Sequence, residues 1–217
     1  MSSGKENLFQ RYGPGAASRE EYFHRLSKLI PQLPYAAIEG IARVLLQAFS
    51  EDRTVFVFGN GDSAAAASHM MADMKKGAPD SPDARGLKVV AFTDNVPVVT
   101  AWDNDCGYEH VFSDQLKSFV RRRDVAFAIS VSGNSVNVVR ALEAARERGA
   151  VTVGLAGYRG GKMQTLCDVC AIVPCDDMQM IEDIHHAMLH SIFSVVRKRV
   201  SAAPPEILAA AAGQFKK

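Results

Sequence analysis

Short valine-rich runs and amphipathic stretches alternate along most of this chain. From residue 54 onward, TVFVF (54–58), LKVVAF (87–92), VAFAIS (125–130), VTVGLAG (151–157) and VCAIV (169–173) are almost wholly apolar. Runs of that length without alternation suit strands buried on both faces, as in a parallel sheet. Stretches with helical spacing separate most of them, at 62–76, 109–122, 134–149 and 178–200. The pattern predicts a doubly wound α/β domain, a three-layer sandwich with a five-stranded parallel sheet and helices on both faces.

Ahead of the first strand, Ser18 followed by Glu21 reads as a capping box that opens a helix running to about residue 30. Pro31 and Pro34 interrupt it. A second helix is expected over 35–50, with Ile38, Ile41, Leu45 and Ala48 on one stripe. These two form an N-terminal helical extension suited to packing between subunits. Residues 1–17 hold Gly13, Pro14 and Gly15 and no apolar period, so they read as a flexible arm. The tail, 201–217, reads as one short packed helix. No repeat or low-complexity linker divides the rest, so 18–200 is expected to be a single domain.

Composition narrows the function classes. A chain of 217 residues that is 47% hydrophobic has room for one sizeable core. A formal net charge of +1 gives no electrostatic footprint for nucleic acid or an anionic membrane. Arg121, Arg122 and Arg123 read as a solvated helix end. No apolar run approaches the roughly 20 residues of a membrane span, and the polar start MSSGKENLFQRYGPG has no secretory core. Cys106, Cys167, Cys170 and Cys175 are too few and too uneven for a disulfide scaffold. A cytoplasmic location with reduced thiols is expected. Cys167 and Cys170 read as buried small hydrophobes, and Met70, Met71 and Met74 as core or interface filling.

Two strand ends carry unusual chemistry: FGNGDSAAAASH (58–69) and SVSGNSVN (130–137). Ligands of open parallel sheets bind beyond the carboxyl ends of the strands. Each stretch turns on small residues and then starts a helix, whose free N–H groups and dipole favour an anion. Ser130, Ser132 and Ser135 add hydroxyl donors, and the loop holds no lysine or arginine, so a phosphate there would rest on neutral donors. The alternative is plain capping by Ser132 or Asn134, with the other serines as turn residues. Neither stretch is a P-loop, and Ala64 stands at the last glycine position of G-x-G-x-x-G, which disfavours a nucleotide enzyme.

A second set of chemistry lies on predicted helices. SHMMADM (68–74) puts His69 and Asp73 four residues apart, and IEDIHHAMLH (181–190) places Glu182, His186 and His190 in an i, i+4, i+8 row, with His185 three from Glu182. Two helices offering imidazole and carboxylate are a reasonable source of zinc ligands. The alternative is a set of solvated or capping polar residues, and spacing alone does not choose among His185, His186 and His190.

The combination GNG-x-S, S-x-SGNS-x-N and GGKM (160–163) resembles the sugar isomerase (SIS) domain family, and within it the phosphoheptose isomerases, from about residue 20 to 200. The resemblance implies a phosphorylated sugar substrate and a homotetramer with sites at subunit interfaces. It assigns the phosphate to Ser130, Ser132 and Ser135, and the sugar chain to Asn60, Gly61 and Ser63, with Val131 and Asp62 as further candidate substrate-binding residues in the same turns. NDCG (104–107) would bring Asn104 and Asp105 to the pocket. The zinc-containing members imply one Zn²⁺ per subunit on His69, Asp73, Glu182 and His190, and His185 matches a further family histidine. Three positions depart from the family: Asp73 replaces a glutamate, Glu182 a glutamine and Asp62 a glycine. The implied reaction is aldose–ketose isomerisation of sedoheptulose 7-phosphate through an enediol, with Asp73 or Glu182 as base and His190 as the opposing acid/base. The alternatives are an isomerase of another ketose phosphate, such as an octulose phosphate, or a non-catalytic SIS protein that binds a sugar phosphate or a protein partner.

Overall fold

In the computed structural model, which describes residues 15–76 and 86–201, five parallel strands form one sheet. They are β1 (Thr54–Gly59), β2 (Lys88–Ala91), β3 (Val125–Ser130), β4 (Val151–Ala156) and β5 (Val169–Ile172), in the order β2-β1-β3-β4-β5. The central strands are buried along nearly their whole length, as their unbroken apolar runs require. β2 lies at an edge and alternates exposed with buried positions, so it is shorter than its apolar run.

Alternate strand residues build two separate cores. Val55, Val57, Val125, Phe127, Ile129, Val153 and Leu155 face one layer. That layer is α2 (Tyr35–Ser50), α3 (Asp62–Lys76) and α8 (Met178–Ser201), which contribute Ile41, Leu45, Met70, Met74, Ile184, Met188 and Ile192. Phe56, Phe58, Ala126 and Ala128 face the other layer, α5 (Ser113–Phe119), α6 (Val136–Glu147) and α7 (Met163–Leu166), which adds Leu116, Val138, Leu142 and Met163. Cys167, Cys170 and Trp102 are half-buried against this second core, so the C-x-x-C packs as small hydrophobes and Trp102 as a packing residue.

The N-terminal helix α1 (Arg19–Leu29) starts at Ser18, whose Oγ accepts from Glu21 N at 3.1 Å. Glu21 returns the bond to Ala17 N at 2.7 Å, one residue earlier than a standard capping box. Tyr22 OH donates to Asp183 at 2.6 Å, and Arg25 pairs with the buried Asp177 at 3.2 Å, so α1 is tied to α8. Among the described residues no single helix is long and apolar enough to cross a membrane.

Three departures from the sequence pattern have local causes. Val96–Cys106 forms a helix, α4, that was not predicted. It opens at Asn95, whose side chain accepts from Val98 N, but none of its residues is fully buried, so it leaves no apolar stripe. The single helix expected at 109–122 is a 3₁₀ turn at Tyr108–His110 followed by α5. Lys162 precedes the one-turn α7. Arg121–Arg123 form the turn before β3, where Arg123 (φ +72°) pairs with Glu51 at 2.6 Å. The expected tail helix and residues 1–14 of the arm lie outside the described residues.

At the amino ends of the strands two aspartates repeat one device. Buried Asp124, just before β3, accepts from Thr54 N at 3.0 Å and from Arg121 N at 2.8 Å. Asp168, just before β5, accepts from Thr152 N at 2.8 Å and from its hydroxyl at 3.0 Å. Each carboxylate fastens the start of the neighbouring strand. Asp124→Ala is expected to lower unfolding free energy by about 1–3 kcal/mol, the cost of stranding buried donors, as read by urea denaturation. The site lies at the opposite end of the strands, so ligand binding by the folded variant should be unchanged.

Candidate active site

In the sheet order 2-1-3-4-5, the chain leaves β1 and β3 in opposite directions, which makes their carboxyl ends the switch point where a crevice opens. Gly59 of β1 pairs with Ile129 of β3, so the GNGDS and SVSGNS turns emerge side by side. A cavity of about 1150 Å³ lies there. Asn60, Gly61, Asp62 and Ser63 line it from the first turn, and Ser130, Val131, Ser132, Asn134 and Ser135 from the second. Tyr158, Met178, Gln179 and Glu182 close it.

The serine loop is held in shape mainly by backbone and amide contacts to the 157–163 turn. Gly133 has φ +63°, and a Cβ there would come within 2.1 Å of Gly160 O, so only glycine fits. Asn134 spans the gap to the 160–163 turn: its Oδ1 accepts from Lys162 N at 3.0 Å and its Nδ2 donates to Ser132 O at 3.1 Å. Gly157 N donates to Val131 O and Met163 N to Gly133 O. Ser135 is the N-cap of α6 but makes no side-chain capping bond. Its Oγ lies 3.4 Å from Ser130 Oγ, and Ser132 Oγ accepts from Asn134 N at 3.2 Å. The hydroxyls therefore line the cavity beside the α6 N-terminus; one hydrogen is shared within the Ser130–Ser135 pair, and that of Ser132 is left to donate outward.

Asn60 is braced from behind. Its side-chain amide and that of buried Asn137 exchange hydrogen bonds at 2.8 and 2.9 Å, and Tyr108 OH donates to Asn60 Oδ1 at 3.0 Å. This pair joins the two turns across the crevice. Neither Asn137 nor Tyr108 was singled out from the sequence for this role, although Asn137 ends the SVSGNSVN stretch.

On α3 and α8 the imidazoles converge. His69 Nε2 and His190 Nε2 are 2.8 Å apart, and Asp73 Oδ2 lies 3.3 Å from the first and 3.8 Å from the second. One ligand atom from each of the three lies within 4.8 Å of the others. Two imidazole nitrogens facing each other beside a carboxylate are donors of the type zinc takes. Glu182, expected as a fourth ligand, is outside this group: two helical turns earlier on α8, it faces the cavity instead. Burial first, then the charges of Asp62 and Asp183, push its carboxyl above the usual range, against an opposing pull from His186. Asn104 and Asp105 are the larger departure. They sit exposed on the last turn of α4, hydrogen-bonded to each other at 2.8 Å, and do not line the cavity of this chain.

His186 joins the two sets. Its Nε2 is 3.2 Å from Asp62 Oδ2, and its ring centroid is 6.3 Å from that of His69. It lines a second cavity of about 630 Å³ against α1, which shares Asp62, Gln179 and Glu182 with the first. His185 faces the other way, buried under the sheet, with Nε2 3.1 Å from Ala156 O and no partner for Nδ1 among the described residues.

Comparison with known proteins follows the same outline. The SIS-domain family profile matches residues 21–157. The phosphoheptose isomerase of Rhodospirillum rubrum is 39% identical over 179 residues, 80% of this chain and 89% of that protein. That of Aliarcobacter butzleri is 35% identical over 164 residues, 76% of this chain and 86% of that protein. Among solved structures, the phosphoheptose isomerase GmhA of Neisseria gonorrhoeae superposes with a TM-score of 0.74 at 32% identity, covering 80% of this chain and 92% of that one. A phosphoheptose isomerase of Francisella tularensis superposes at 0.75 with 25% identity, covering 82% and 96%.

Burial holds His185 at a pKa of about 4, below histidine's usual 6.5. The unfolded chain takes up this proton near pH 6.5 and the folded chain only near 4. Its contribution is therefore fully present above pH 6.5 and is lost as the pH falls toward 4, amounting to about 3 kcal/mol at about 1.4 kcal/mol per unit. The urea midpoint should drop between pH 7 and 5, and His185→Gln, which keeps a donor without titrating there, should flatten that drop. An equal drop in both proteins would assign the pH dependence to another group.

Proposed function

The chain belongs to the SIS-domain family and is a sugar-phosphate isomerase, and from that premise we propose that it converts sedoheptulose 7-phosphate to the corresponding heptose 7-phosphate. The observation that carries this reading is a single cavity bordered both by the serine loop and by Glu182. Ser130, Ser132 and Ser135, with the backbone at the start of α6, hold the phosphate by hydroxyl and N–H donors. The sugar chain then runs past Gly61 and Ser63 toward Glu182, and Asn60 presents the one amide hydrogen its brace leaves free.

Glu182 is the base. Asp73, the other candidate, is engaged with two imidazoles, whereas Glu182 borders the cavity and its raised affinity for a proton suits it to take one from the carbon beside the carbonyl. The proton exchanges with solvent while the carboxyl holds it, and Glu182 then delivers a proton to the neighbouring carbon or back to the first. His69, Asp73 and His190 would hold zinc, one ion per chain. When bound, zinc polarises the substrate's carbonyl and hydroxyl oxygens. His190 acts as the opposing proton carrier only with its Nε2 unengaged. The proposal includes a cytoplasmic homotetramer. Phe23, Ile30 and Tyr35, exposed on the N-terminal helices at 67%, 48% and 56%, favour burial of that surface against another copy.

In D₂O the wild type should place deuterium at C1 of sedoheptulose 7-phosphate, and Glu182→Gln should abolish it. Absence of exchange in the wild type would overturn the reaction. Ser132→Ala should raise KM by about tenfold or more with little change in kcat, since a hydrogen bond to a charged group is worth about 1.5–3 kcal/mol. An unaltered KM would remove Ser132 from the phosphate cradle.

A further inference from the structure

Asp62 stands where the two cavities meet. It is the first residue of α3 and follows Gly61, whose φ of +59° turns the chain into that helix. Its Oδ2 is fixed 3.2 Å from His186 Nε2, which leaves the other oxygen available to a ligand. Glu182 borders both cavities beside it and is close enough to feel its charge. Among the described residues no lysine or arginine lines the large cavity. Its carboxylates, Asp62 and Glu182, thus face the ligand space with no lysine or arginine among that lining, the nearest basic groups, His186 and Arg19, bordering the second cavity instead, while its serine loop offers neutral donors.

Such a cavity is sorted by charge along its length. Donors at the serine loop favour one anionic group, while acceptors at the acidic wall favour hydroxyl hydrogens and oppose a second anion. We infer that Asp62, anchored by His186, restricts the site to sugar monophosphates whose far end is an uncharged polyol. Its free oxygen accepts from the hydroxyls of the chain, and its charge turns away bisphosphates and phosphorylated sugar acids. The anchoring matters because a carboxylate already fixed in place gives up less side-chain freedom when a ligand arrives. This inference rests on the serine loop holding the phosphate. It does not depend on turnover.

The test is a set of dissociation constants, by calorimetry, for inorganic phosphate, sedoheptulose 7-phosphate and fructose 1,6-bisphosphate. The full-length wild type should prefer the monophosphate to the bisphosphate by about tenfold or more, as expected for a like charge met in a confined site. Asp62→Asn should weaken the monophosphate and strengthen the bisphosphate, so that the preference falls by about tenfold, and Asp62→Ala should do the same. Affinity for inorganic phosphate should stay within about threefold in both variants, which also reports that they are folded. A wild type without the preference, a preference unchanged in the variants, or parallel changes for all three ligands would overturn the role of Asp62. Deuterium exchange by the wild type scores the isomerase reading separately.

Discussion

The pairing of β1 with β3 is the constraint on which the rest of the structure depends. Register from Val55↔Val125 to Gly59↔Ile129 brings two carboxyl ends level in the middle of a buried sheet. The chain then leaves β1 for α3 on one face and β3 for α6 on the other. Right-handed crossovers that run in opposite directions along a sheet must take opposite faces. The two turns are therefore forced apart above paired strands, and a crevice is the necessary result. The apolar runs supply the burial, and the small residues beyond them let the backbone turn without filling the space.

The crevice has ends of different character because different elements supply them. The serine loop is shaped by a rigid backbone: Gly133 against Gly160, and Asn134 against Lys162. Its hydroxyls carry only short local bonds, Ser132 to Asn134 N and Ser130 to Ser135, and stay on the cavity wall. The opposite wall comes from α8, whose side chains repeat at i, i+4 and i+8. Glu182 faces the cavity, His186 meets Asp62 and His190 meets His69. One helix face thus leads from the ligand space to the imidazole group, and α3 runs beside it with Asp62, His69 and Asp73. The chemistry depends on the packing of α3 against α8 as much as on either turn.

The strands, their parallel arrangement and most helix boundaries were legible because burial on both faces leaves an apolar signal that needs no tertiary knowledge. The turns were legible because Gly, Asn and Ser in that order have few structural uses. α4 was not legible, since a helix without a buried stripe writes no periodicity. The Asn60–Asn137 brace was hidden because two neutral amides 77 residues apart carry no pattern. Glu182 could be set on the right helix face from spacing, but spacing does not say which neighbour a side chain turns to. It faces the cavity, away from the group of His69, Asp73 and His190. Asn104 and Asp105 came from resemblance alone, and within one chain they sit on an exposed helix end.

The central claim is that one carbohydrate lies along the crevice with its phosphate at the hydroxyls and its reactive carbons at the acids. A crystal structure of the protein with bound sedoheptulose 7-phosphate tests it most directly. The account predicts phosphate oxygens within hydrogen-bond distance of Ser130, Ser132 and Ser135, with C1 and C2 beside Glu182. A phosphate seated against Asp62 and Glu182, or a sugar bound away from the β1–β3 crevice, would contradict it.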